Sequence, residues 1–153
     1  MEKKMTIATL YNAYSVLNAA RISGLKNNDD KTRVLKVMRE LRPLATKFEA
    51  DRKEAIEKLK PEGWDELLQR AAAYEREMKD GQKSAVMTVG EYNDFRAKGA
   101  AYDRSLAAAM RDEEQKEVTV DIEPLGDGLL TELLTLCDWQ TAQYFAVADA
   151  CGN

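Results

Sequence analysis

Apolar residues recur at helical spacing along most of this chain and alternate strictly in only one place. Ile7, Leu10, Tyr11, Tyr14 and Leu17 fall three and four apart, which predicts a first helix over residues 6–20. Residues 31–60 carry Val34, Met38, Leu41, Ala45, Phe48, Ala55 and Leu59 at the 4,3 spacing of a heptad seam, broken only at Arg52. Pro43 inside that run predicts a kink or a later start, and Pro61 ends it. A third helix over residues 61–79 presents Trp64, Leu67, Leu68, Ala71, Tyr74 and Met78, and the short connection between the two seams predicts an antiparallel hairpin. Thr88 followed three residues on by Glu91 is a capping box. It opens a fourth helix over 88–115, through Tyr92, Phe95, Gly99, Tyr102, Leu106 and Met110. The last helix, over 129–150, is apolar on more than one face, as expected of a buried or interface helix.

The alternating stretch is E-V-T-V-D-I-E-P-L, residues 117–125. Val118, Val120 and Ile122 interleave with Thr119, Asp121 and Glu123, and Pro124 ends the run. A lone strand leaves backbone donors and acceptors unpaired, so it needs a partner. The other strand signal is weak: K-S-A-V-M, residues 83–87. A straight helix over 88–115 would hold the two about 42 Å apart, whereas a seven-residue strand reaches back only about 23 Å. Pairing between chains is therefore expected: a homo-oligomer, a dimer first of all, with Val118, Val120, Ile122 and Leu125 at the interface. A bend at Gly99 is the route by which a monomer could satisfy the strand instead.

Composition bounds the fold class. The chain has 153 residues, 44% of them apolar and 33% charged, with only 3 prolines. That fits one mostly α domain spanning residues 1–153, four to five helices in antiparallel hairpins plus one or two short strands. No apolar run approaches the roughly 20 residues of a membrane span, and no signal-peptide core follows Met1, so a cytoplasmic protein that does not engage membranes is expected. Cys137 and Cys151, if one helix carries both, lie about 21 Å apart, beyond disulfide reach. Free thiols are expected.

Charge is unevenly spread: residues 1–60 hold 14 Lys and Arg against 8 Asp and Glu, and the rest 9 against 19. A basic helix packed beside acidic ones accounts for this. Arg33, Lys36, Arg39, Arg42 and Lys47 could alternatively form a nucleic-acid surface, but neither aromatic interleaving nor a known module supports that partner.

Candidate chemistry is sparse. The absence of histidine removes His-dependent triads and His-ligated metals, and no phosphate-cradling glycine motif is present. No catalytic, cofactor-binding or metal-binding residue is assigned, and no cofactor is expected. One pattern stands apart: Glu54-x-x-Glu57 followed by Glu77-x-x-Asp80 resembles the acidic pairs by which all-helical nucleoside triphosphate pyrophosphatases hold magnesium. Ala55 and Leu59 take the seam positions, which turns Glu54 and Glu57 towards solvent.

Four short motifs carry a different resemblance. Leu10-Tyr11-Asn12-Ala13-Tyr14, Glu49-Ala50-Asp51-Arg52, Tyr92-Asn93-Asp94-Phe95 and the E-V-T-V-D-I-E-P-L stretch, in this order over about residues 6–130, resemble a family of small uncharacterised helical proteins encoded by tailed phages and prophages. The last helix here is longer and more apolar than in that pattern. The resemblance implies a phage or prophage context within a host cell and no activity. The expected function is thus a non-enzymatic accessory protein that self-associates and binds a phage or host protein, in virion assembly or host takeover. The alternatives are a magnesium-dependent pyrophosphatase and a protein that sequesters a host signalling nucleotide.

Overall fold

The computed structural model describes residues 1–81 and 83–153. In chain order these form β1 (Glu2–Thr6), α1 (Ile7–Asn18), a short 3-10 turn (Ile22–Gly24), α2 (Asn28–Leu59), α3 (Trp64–Lys79), α4 (Val89–Gln115), β2 (Glu117–Asp121), α5 (Asp127–Leu136) and α6 (Thr141–Cys151). The class is mostly α with a minor β element. The chain divides into two compact units, one made of Met1–Asp51 with Asp112–Asn153 and the other of Arg52–Arg111.

In the first unit β1 and β2 pair antiparallel, with Lys3 opposite Val120 and Met5 opposite Val118. Backbone bonds extend the ladder at both ends: Ile122 N donates to Met1 O at 3.0 Å, and Ile7 N to Lys116 O at 2.9 Å. The expectation of pairing between chains is corrected here, because the strand's partner is the start of its own chain. Residues 83–87 are not a strand. The inward face of β2 belongs to this unit's core: Val120, Ile122 and Leu125 are 5%, 3% and 0% exposed, and Val118 is half-buried against the same core. Val120, Ile122 and Leu125 are thus spent inside the chain and offer no apolar face for a second copy.

The core they join is built from helices by ordinary amphipathic packing. Thr6 caps α1, its Oγ1 accepting from Thr9 N at 3.1 Å, and α1 buries Leu10, Ala13 and Leu17. On α2 the buried positions are Val34, Val37, Leu41, Ala45 and Phe48. Val37 is buried and the expected Met38 packs half-buried beside it, because a helix lying on a globular core follows a 3.6-residue stripe and not a 3.5-residue seam. Pro43 lies within α2 on its exposed side, where the Arg39 carbonyl it leaves without a helical donor can be served by water.

The expected single last helix is two. Asp138 takes a left-handed φ of 51° between α5 and α6, a conformation Asp tolerates better than most residues. Gln140 then restarts the helix through a reciprocal capping box with Gln143, its N–H donating to Gln143 Oε1 at 2.9 Å. Leu129, Leu130 and Leu133 of α5 and Val147, Ala150 and Cys151 of α6 are buried, so the many-sided apolar pattern is the sum of two differently turned faces. The end of the chain is tied in by Leu125 N donating to Cys151 O at 2.7 Å and Lys3 Nζ to Gly152 O at 2.8 Å.

The second unit is an antiparallel hairpin of α3 and α4 zipped by aromatic rings. Tyr74, late in α3, stacks on Tyr92, early in α4, at 4.5 Å between ring centres, while Trp64 at the start of α3 meets Phe95 and Tyr102 at 5.3 and 5.8 Å. Thr88 and Glu91 make the expected capping box, with Glu91 N donating to Thr88 Oγ1 at 3.1 Å and Thr88 N to Glu91 Oε1 at 3.3 Å. The Thr88 backbone bond is the first cause holding the Glu91 carboxyl below its ordinary pKa, and Arg70 at 3.0 Å adds to it.

Candidate functional site

The side of α2 turned away from the core is a basic face. Arg33, Lys36, Arg39, Arg42 and Lys47 are all exposed on it, and Glu40 is the one acidic residue between positions 33 and 47. The stripe that buries Val34, Val37, Leu41, Ala45 and Phe48 forces these residues outward, since at 3.6 residues per turn they occupy the remaining arc. Arg33 is anchored: its guanidinium donates to Pro124 O at 3.2 Å and stands 3.9 Å from Asp30. Lys36, Arg39, Arg42 and Lys47 make no side-chain hydrogen bond or salt bridge among the described residues.

Beside this face lies a pocket of about 430 Å³, lined by Arg33, Lys36, Val37, Arg39 and Glu40 from α2 and by Met1, Asp121, Ile122 and Glu123 from the end of the sheet. The Met1 ammonium bonds Asp121 Oδ1 at 2.7 Å, and that hydrogen bond raises its pKa. Sequence reasoning reached the basic side chains of α2 but missed Glu40, Asp121 and Glu123. Glu40 could have been read from its place among the cations, whereas no local spacing links α2 to residues 121–123; they meet through tertiary packing, with Val37 and Ile122 in one core and Arg33 bonded to Pro124, 91 positions away.

The other candidates stand elsewhere. Glu54 and Glu57 are exposed, Glu57 at 3.8 Å from Lys60, and Glu77 Oε2 accepts from Ala85 N at 3.1 Å. Among the described residues no three His, Cys, Asp or Glu side chains are grouped to hold a metal ion. Replacing Glu54 and Glu57 together by Gln should change stability by less than about 0.5 kcal/mol, because each is a surface substitution away from tight partners. Denaturant titration checks it, and a loss above about 1 kcal/mol would mean these carboxylates are engaged in the fold. Both cysteines are free: Cys137 Sγ accepts from Arg21 N at 3.3 Å, and burial pushes the Cys151 thiol up to about 11. They lie on separate elements, so the one-helix argument against a bridge does not apply, although the thiols are unpaired as expected. The acidic residues Asp112, Glu113, Glu114 and Glu117 are exposed around the junction of α4 and β2.

In comparisons with protein-family models, curated proteins and solved structures, nothing matches this chain.

Proposed function

We propose that this chain is a non-enzymatic accessory protein, of the phage and prophage kind its motifs resemble, that works by associating with acidic protein surfaces. The first such surface is a second copy of itself. One observation carries the reading: Lys36, Arg39, Arg42 and Lys47 are exposed along α2, and none of them is held in a hydrogen bond or salt bridge among the described residues. A second copy brings a complementary surface in Asp112, Glu113, Glu114 and Glu117, and matched potentials of this kind steer and orient association. Assembly thus moves from the strand, whose apolar side chains are buried, to the charged face of α2.

Salt tests the reading directly, because exposed charges are screened over about 10 Å at 0.1 M ionic strength and about 3 Å at 1 M. Light scattering should show a concentration-dependent dimer at low salt that dissociates near about 1 M. Arg42→Glu combined with Lys47→Glu should give a monomer at both. A monomer mass for the unaltered protein at every concentration and both salts overturns the proposal. Tight, salt-sensitive binding of a labelled oligonucleotide without dimer formation would replace it with a nucleic-acid role.

A further inference from the structure

Building on the self-association described above, on which this step rests, we propose that the two copies meet through one patch that each presents to the other across a two-fold axis, so that assembly closes at a dimer. The patch centres on a small cleft in the first unit. Lys47 and Asp51 of α2 line it together with Glu113, near the end of α4, and Lys116, just before β2. Leu44 and Val118, both half-buried, lie between these charges above the buried Ile7 and Phe48. The cleft holds only about 50 Å³, far below the roughly 300–1,000 Å³ of small-molecule sites. Another protein surface is what it can take.

Lys47 belongs to the exposed cationic run of α2, and Glu113 to the acidic residues around the junction of α4 and β2, so the cleft shows that the two surfaces are neighbours on one chain. Their adjacency decides the symmetry. If the two surfaces lay far apart, each copy would turn its basic face to one neighbour and its acidic residues to another, a head-to-tail contact that grows into a ring or an open chain. Side by side, they make one self-complementary patch: a half-turn about an axis between Lys47 and Glu113 lays the basic run of each copy on the acidic residues of the other. Each edge of the cleft carries one cation and one carboxylate, so the centre of the patch has no net charge to repel its own copy. Among the described residues none of these four side chains is held in a hydrogen bond or salt bridge, which leaves all four to the partner.

Charge reversal, read by light scattering of the full chain at low salt and rising concentration, tests the symmetry. The mass of the unaltered protein should level off at two chains. Lys47→Glu and Glu113→Lys should each weaken the dimer at least about tenfold, because each sets like charges against one another on both sides of the axis. Both side chains are exposed, so the unfolding midpoint should not move. An equimolar mixture of the two variants should recover a dimer within about threefold of the unaltered affinity, since every reversed charge then meets its opposite. Dimerisation of the unaltered chain with no recovery in the mixture, with either variant unaffected, or with a mass that climbs past two overturns the two-fold patch and leaves the salt-dependent association standing. A monomer at every concentration overturns both.

Discussion

Val120→Asp is expected to abolish folding of the unit that contains the sheet. Val120 is 5% exposed, sits opposite Lys3 in the ladder and packs within the core shared with Leu10, Leu17 and Leu133. Removing its side chain forfeits about 1.5–3 kcal/mol of apolar burial, and a carboxylate placed there without a partner costs several kcal/mol more. Together these approach the whole stability of a small domain, about 5–15 kcal/mol. Circular dichroism and one-dimensional NMR should show a chain that has lost cooperative unfolding. Thr119→Asp makes the control: Thr119 is exposed, opposite Lys4, on the other face of the same strand, and its change should stay within about 0.5 kcal/mol. A Val120→Asp protein with an undisturbed unfolding transition but altered mass would return this strand to an interface and remove it from the core.

The contrast between these neighbouring residues shows which parts of the fold were legible. The alternation around Val118, Val120 and Ile122 reports a strand with one buried face, and burial is what hydrophobic pattern encodes. Pairing is carried by backbone groups and leaves little trace in side chains. Glu2, Lys3 and Lys4 are poor strand formers with no alternation, and they become a strand because β2 needs a partner and Thr6 starts a helix just beyond. The break at Asp138 was hidden for a related reason: its cap is Gln140 with Gln143, where the usual sequence signal is Ser, Thr, Asp or Asn. Capping chemistry at Thr88 and Glu91, which does use the usual residues, was readable at once. The basic side chains of α2 were readable as a face, but their acidic counterparts at residues 121–123 depend on tertiary placement alone.

Trp64→Ala is expected to cost about 3–5 kcal/mol of the stability of the Arg52–Arg111 unit, the range for removing a large buried aromatic side chain. Trp64 is 9% exposed and is the ring that joins Phe95 to Tyr102, while its Cη2 stands 3.4 Å from where a Cβ on Gly99 would lie. That distance is ordinary van der Waals contact, so Gly99→Ala should be tolerated and should gain part of the roughly 0.5–1 kcal/mol that glycine costs within a helix. Leu106, on the same predicted line of α4 as Phe95 and Tyr102, is only half-buried, so Leu106→Ala should fall below the about 2–5 kcal/mol typical of a fully buried leucine. Hydrogen exchange on α3 and α4, read beside denaturant titration, locates each loss in the right unit. A Trp64→Ala cost under about 1 kcal/mol, or a Leu106→Ala cost exceeding it, would mean that the hairpin is held by the leucine line and not by the aromatic zipper.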